Sequence, residues 1–293
     1  MFMEAVTLEE KIHYLIKIIK QKKEFRSLSG DFVCEQVLLV LRQQPSLQQF
    51  LQESGNLRSA QYKRIIKEVR ARLRRVSALF QVEKKRDVTK LLAKLHDGQN
   101  KREMQSVIQK ILESHASTWE RILFYEQLYR KIFAVAGKPA SLLDLGCGIN
   151  PFSVTRMSIK KLNYYAYDID EDNMQLLNSF FEWWHTQHKS FHGKAEILDI
   201  SNVQNIPRLP HADLCFLFKI TDILDQGKGH KKTEIILEKI PARYVVISFS
   251  TQTMSGKTMT APRRRWMEWL CKRLGYEYKI LEFNNEIFYV VKK

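Results

Sequence analysis

Three shortages bound what this chain can be. Cysteine is scarce: Cys34, Cys147, Cys215 and Cys271 are scattered, with no C-x-x-C pair and no histidine at zinc-ligand spacing. That excludes a disulfide framework and a structural zinc site, and no metal is expected. Long apolar runs are missing as well. No segment reaches the ~18 uninterrupted apolar residues of a membrane span, and Lys11, His13, Lys17 and Lys20 interrupt the first apolar stretch, so a soluble, cytoplasmic protein is expected. Acidic charge is the third shortage, with 32 Asp and Glu against 48 Lys and Arg and a net charge of +16. Such an excess favours a polyanionic partner, nucleic acid before an anionic membrane surface. It is uneven, because residues 1–115 hold 23 Lys and Arg and 13 Asp and Glu, which places +10 of the +16 there.

What is present falls into two regions. Residues 1–114 read as all helical and basic. Thr7 and Glu10 form a capping box ahead of Leu8, Ile12, Leu15, Ile16 and Ile19 on one helical face. Gly30-Asp31 ends that helix and caps a second, which Pro45 closes. A helix from about 59 to 80 carries Lys63, Arg64, Lys67, Arg70, Arg72, Arg74 and Arg75 around an apolar stripe, and shorter helices follow at about 87–96 and 101–114. A helix over 118–136 then leads into Pro139. From there strand and helix alternate, with strands expected near 141–145, 164–168, 194–198, 213–218, 243–249, 277–283 and 286–292. The fold class is therefore α/β, with a seven-stranded doubly wound (Rossmann-like) domain over 115–293 behind a basic helical domain. No repeat or low-complexity segment interrupts it.

Ser141-Leu-Leu-Asp-Leu-Gly-Cys-Gly-Ile-Asn-Pro-Phe152 organises the second region. A buried strand containing Asp144 breaks at Gly146 and Gly148, where a side chain would block a ligand. A dinucleotide fingerprint needs a third glycine where Pro151 stands. The D-x-G-x-G form is instead that of class I S-adenosyl-L-methionine methyltransferases; the bland alternative is a strand-to-helix turn with no ligand. In such sheets the ligand crosses the carboxyl ends of the strands. Asp168 ends the second strand, 24 positions after Asp144, where it can accept both ribose hydroxyls, while Asp170 caps the next helix. Asp199, after the third strand, either accepts from an adenine amino group or closes a turn. Lys219, after the fourth, is a phosphate or base ligand or a solvated strand end. The Asn/Asp-Pro-Pro-aromatic signature of amine methylation is absent there. The polar loop of residues 248–265, with Lys257, Arg263, Arg264 and Arg265, suits phosphate contact.

These motifs can now be set beside a known family. Leu143-Asp-Leu-Gly-Cys-Gly-Ile-Asn-Pro151 and His115-Ala-Ser-Thr-Trp-Glu-Arg121 resemble the G-C-G-x-N-P loop and the H-x-S-T-x-E-R segment of the aminoglycoside-resistance 16S rRNA methyltransferases that modify N7 of a decoding-site guanine. Tyr165–Asp170, Phe216–Lys219, Val246–Phe249 and Met254–Lys257 follow in that family's order, so the likeness runs from about 115 to the C-terminus. It implies that Arg121 pairs with the methionine carboxylate of the cofactor. It also implies that His115, Ala116, Ser117, Asp144, Gly146, Gly148, Asp168, Asp199, Ile200, Phe218, Gln226 and Phe80 complete the pocket, and that Lys219 and Glu286 are positioning residues. Thr221-Asp222 stands where the resistance enzymes have Leu-Pro, and Gln226 falls one residue early.

The implied chemistry needs no general base, because guanine N7 carries a lone pair and no proton; the protein must align, dehydrate and hold. Glu286 is suited to accept from guanine N1–H and the 2-amino group, and Trp119 or Phe152 to stack on a flipped base. The implied partner is 16S rRNA in the assembled 30S subunit, bound by a monomer without membrane or metal. Docking falls to Lys63, Arg64, Lys67, Arg70, Arg74 and Arg75 with the cations of the 248–265 loop. N1 methylation of the neighbouring adenine, a small-molecule methyltransferase, and a ribosome-binding protein without catalysis remain open alternatives.

Overall fold

A computed structural model describes residues 7–53, 56, 58–77, 88–97, 100–225, 229–253 and 256–293. Phe80 and Gln226, both assigned above to the cofactor pocket, lie outside the described residues. The chain divides into two compact units, one of residues 1–79 with 169–171 and one of 80–168 with 172–293.

In the first unit, helix α1 (Leu8–Lys20) begins with the expected box: the Glu10 N–H donates to the Thr7 hydroxyl and the Thr7 N–H to the Glu10 carboxylate. It ends well before Gly30, because a 3-10 turn (Lys23–Phe25) intervenes and buries Phe25. Ser29, not Gly30-Asp31, caps α2 (Gly30–Gln43) by accepting from the Phe32 N–H. Pro45 opens α3 (Pro45–Glu53) as well as closing α2, since a first-turn residue has no intrahelical use for an N–H. Helix α4 (Ala60–Ser77) buries Tyr62, Ile65, Val69 and Leu73, a stripe at three- and four-residue spacing that packs with Leu15, Ile19 and Val37.

The second unit begins earlier in the chain than residue 115. Helices α5 (Val88–Asp97) and α6 (Lys101–Leu112) send Leu92, Leu95, Ile108, Ile111 and Leu112 into the core that holds Tyr129, Ile132 and Phe216. The boundary thus falls after residue 79, because these helices bury their apolar faces here. The single helix expected over 118–136 is two, α7 (Ala116–Trp119) and α8 (Tyr125–Ala136). The Thr118 hydroxyl turns back to the Leu112 and His115 carbonyls, and the turn between the helices presents Arg121 inward.

Seven strands follow: β1 (Ser141–Leu145), β2 (Leu162–Asp168), β3 (Phe191–Ile197), β4 (Ala212–Phe218), β5 (Ala242–Ser250), β6 (Glu277–Glu282) and β7 (Glu286–Lys292). Interleaved with them are α9 (Glu171–Gln187), α10 (Thr221–Asp225), α11 (Lys231–Lys239) and α12 (Arg265–Leu274). The sheet order is β3-β2-β1-β4-β5-β7-β6, with β7 antiparallel to both neighbours and the other pairings parallel. Period-two alternation assigns Leu142, Tyr164 and Phe216 to one apolar layer and Leu143, Leu145, Cys215 and Leu217 to the other. Gly193 is required in β3, since a Cβ there would lie 2.4 Å from the Phe181 ring of α9. The register Ser250↔Glu286 matters most for function: it brings the first residue of β7 to the carboxyl edge of β5.

Candidate active site

The loop after β1 is built backwards from its glycines. Gly146 and Gly148 have φ of +66° and +50°, a region costly for side-chain-bearing residues. A Cβ on Gly146 would also come within 3.0 Å of Ile220. The Gly146 and Cys147 N–H groups donate to the Tyr167 carbonyl, and the Gly148 N–H donates to Asp168 Oδ2 at 2.8 Å. The ends of β1 and β2 are thereby locked together, with the Asp168 carboxylate only partly buried.

Beneath this loop lies a polar chain. Tyr125 donates to Asn150 Oδ1 (2.9 Å), Asn150 Nδ2 donates to Asp144 Oδ2 (2.8 Å), and Tyr164 donates to the same oxygen (2.7 Å). Asp144 is buried, so it holds the loop from below and corrects its assignment as a ligand-facing acid. Burial pushes its pKa up to about 6, against the opposing pull of the Asn150 and Tyr164 hydrogen bonds. A carboxyl raised in the folded state binds its proton more tightly there than when unfolded. Its contribution to stability is therefore greatest at low pH and falls as pH rises from about 4 to about 6. Asp144→Asn keeps the accepting oxygen and should remove that pH dependence with little loss at pH 7. Asp144→Ala strands two buried donors and should cost about 3 kcal/mol. Urea unfolding of the three proteins between pH 4 and 7.5 measures both effects.

On the other side of the loop, the His115 ring lies 3.8 Å from the position a Gly148 Cβ would take, and His115 Nδ1 is 3.0 Å from Ser117 Oγ. Six residues on, Arg121 is 1% exposed. Its Nε and Nη2 donate to the two oxygens of Glu286 at 2.9 and 2.7 Å, and the guanidinium lies 4.7 Å over the Phe218 ring. Burial alone would lower the Arg121 pKa; the Glu286 carboxylate overrides it and raises it. Lys219, in a left-handed conformation at φ +55°, donates to Glu120 and stands 3.6 Å from Glu286. The Asn285 amide fixes the Glu120 carbonyl at 3.1 Å.

Two assignments change in consequence. Glu286 is fully buried and chelated by Arg121, so it does not present a free carboxylate to a guanine edge. Arg121 directs its fork at Glu286 rather than at a cofactor carboxylate. A charge taken out of water must be paired, and these two meet although 165 positions separate them. No local pattern signals that pairing, and Glu120 carries no role in the sequence reading although it sits inside the H-x-S-T-x-E-R segment.

Asp199 closes a turn, its two oxygens accepting from the Ser201 N–H and hydroxyl, while Ile200 is buried. Phe152 is buried against Phe180, ring centroids 4.4 Å apart, which removes it as a base-stacking residue. Trp119 is exposed. Asp170, at the cap position of α9, also accepts the Ser27 hydroxyl at 2.6 Å.

The basic residues divide in the same way. Lys63, Arg64, Lys67 and Arg75 are exposed on α4. Arg70 instead donates to the Ile18 carbonyl and Arg74 pairs with Glu24, so both are engaged within the helical unit. Lys257 and Arg265 are exposed and Arg263 pairs with Glu268. Arg264 folds back onto the Pro262 and Ser250 carbonyls and the Phe249 ring, which commits it to the loop and not to phosphate. Among the described residues no group of histidine, cysteine or acidic side chains is placed to hold a metal ion, and no helix is long and apolar enough to cross a membrane.

Known proteins resemble this chain in sequence and in fold. The chain is 25% identical over 191 residues to a 16S rRNA (guanine(1405)-N(7))-methyltransferase of Frankia casuarinae, covering 64% of each chain. It is 27% identical over 189 residues to the enzyme of that name from Proteus mirabilis, covering 63% of this chain and 64% of that one. The matches thus span just under two thirds of those relatives' length. The 16S rRNA methyltransferase RmtF, solved in complex with S-adenosyl-L-homocysteine, shares the fold over 97% of this chain and 98% of that one, at a TM-score of 0.72 and 20% identity. The 16S rRNA methylase ArmA matches over 71% of this chain and 98% of its own, at a TM-score of 0.53 and 25% identity. The family description for FmrO, a ribosomal RNA methyltransferase, fits residues 51–290, from the helices before the site to the last strand, and on that extent the chain belongs to the FmrO ribosomal RNA methyltransferase family.

Proposed function

We propose that this protein uses S-adenosyl-L-methionine to methylate N7 of guanine 1405 of 16S rRNA, the reaction named for its curated relatives. The observation that carries this reading is the state of the charged groups gathered where β4 ends and β7 begins. Arg121, Lys219, Glu120 and Glu286 are bound to one another, two cations with two carboxylates, which leaves no poised general base among them. A nucleophile without a proton needs none. When bound, the cofactor supplies a methyl group on a sulfonium: the N7 lone pair forms the N–C bond as the C–S bond breaks, and the positive charge passes to the guanine ring.

The residues fit that cofactor. Gly146 and Gly148 bring no side chain of their own into the loop, and Asp168, its Oδ2 accepting from the Gly148 N–H, holds a partly buried carboxylate beside it at the end of β2. His115 lies against the loop, with Ser117 hydrogen-bonded to its ring and Ala116 between them in sequence, while Asp199 and Ile200 follow the end of β3 and Phe218 ends β4. The Arg121–Glu286–Lys219–Glu120 network fixes the floor without adding net charge against a sulfonium.

The substrate in this reading is the assembled 30S subunit, met in the cytoplasm by a monomer whose helical unit carries an exposed basic face. A methyl group and a positive charge at that guanine would oppose cationic 4,6-disubstituted deoxystreptamine drugs, so expressing cells should resist gentamicin and kanamycin and remain sensitive to apramycin. Radiolabelled methyl transfer tests the reaction: incorporation into 30S subunits should far exceed incorporation into naked 16S RNA, and none into either would refute it. Asp168→Ala should weaken cofactor binding about ten-fold or more, since it removes a charge-assisted contact of roughly 1.5–3 kcal/mol. Calorimetry giving unchanged affinity would displace Asp168 from the pocket.

A further inference from the structure

The turn that turns Arg121 inward has an outer side, and two large apolar side chains stand on it. Trp119 is 61% exposed and Leu123 is 96% exposed, while Thr118, Arg121 and Tyr125 around them are buried to 1%. The turn is rigid. Trp119 donates its N–H to the His115 carbonyl, Ile122 to that of Trp119, and both Phe124 and Tyr125 to that of Arg121. A side chain as exposed as Leu123 contributes little to the fold, and it stands in the same turn as Trp119, four positions on. The acids flanking the pair are neutralised, Glu120 by Lys219 and Glu126 by Arg156, so no unpaired carboxylate of this turn faces an approaching polyanion.

We infer that Trp119 and Leu123 engage the bases of the RNA substrate. Leu123 enters the stack that the target guanine leaves, and Trp119 offers its indole face to the displaced base. This rests on the proposed methyl transfer, because a base paired inside a helix cannot bring N7 into a site recessed at the sheet edge without leaving its stack. An apolar wedge that fills a vacated step and an aromatic platform for a base are the two devices that hold such an open state.

Single-turnover methyl transfer separates these roles. The substrates are 30S subunits with the target guanine paired, and subunits in which its partner nucleotide is replaced so that the guanine is unpaired. Leu123→Ala should slow transfer roughly ten-fold on the paired substrate and run near the wild-type rate on the unpaired one. Trp119→Ala should be roughly ten-fold slow on both, with Trp119→Phe restoring the rate. Binding of S-adenosyl-homocysteine, measured by calorimetry, should be the same in all three variants. Wild-type rates for Leu123→Ala and Trp119→Ala on paired subunits overturn the inference. So does an equal loss on both substrates for Leu123→Ala together with weakened 30S binding, which would make the pair a contact to a ribosomal protein or a duplex face. If the wild-type protein methylates neither substrate, the proposed reaction itself fails, and this inference with it.

Discussion

Replacing Glu286 by alanine should cost the second unit on the order of 3–5 kcal/mol, because it strands a buried guanidinium. Arg121 is held charged by that carboxylate, and no group among its described neighbours can replace two hydrogen bonds of 2.9 and 2.7 Å. Lys219 would lose its 3.6 Å neighbour in the same step. For a unit of this size the loss corresponds to a fall in melting temperature of roughly 6–20 °C. Removing both charges together, as Arg121→Met with Glu286→Leu, should recover much of the loss, since the pair's net worth is small compared with the penalty of breaking it. Calorimetric melting of the single and double variants measures this. A single variant within about 1 kcal/mol of wild type would mean that water reaches the pair, contrary to its burial.

The second large effect concerns RNA. Reversing Lys63, Arg64 and Lys67 to glutamate should weaken 30S binding by roughly two orders of magnitude near physiological salt, and lower the slope of log affinity against log salt by about 2–3. These side chains are exposed on one helix, so their reversal should leave melting and cofactor affinity unchanged. Arg70 makes the contrast: its guanidinium donates to the Ile18 carbonyl inside the helical unit, so Arg70→Glu should lower stability as well as binding. If the triple reversal leaves the salt slope untouched, the docking face lies elsewhere. If cofactor affinity falls instead, α4 serves the site structurally.

Much of the fold is legible because parallel strands buried on both faces are short apolar runs between turn signals, and such runs keep their ends to within a few residues. The 141–145 and 286–292 strands match the expectation, and only β3 begins clearly earlier, at Phe191. The glycine loop is legible because positive φ leaves few residue choices. The non-local pairings are not legible. Nothing local in His115–Arg121 or in Glu286 says that these two segments close on each other, and a buried arginine reads in sequence like any other cation. Helix allegiance is equally hidden, since the apolar stripes of α5 and α6 fit any core of matching shape, and neighbours decide which. Arg264 reads as a phosphate ligand and is consumed by its own loop, because Ser250 and Pro262 present carbonyls that need donors.

The identity of the modified nucleoside is the most direct test of the proposed reaction. Purified protein, S-adenosyl-L-methionine and 30S subunits should yield a 16S RNA whose nuclease fragments, read by mass spectrometry, carry a single methyl group as 7-methylguanosine at position 1405, the position named for the curated relatives. A methyl group on the neighbouring adenosine, or on no nucleoside of the decoding region, would contradict it.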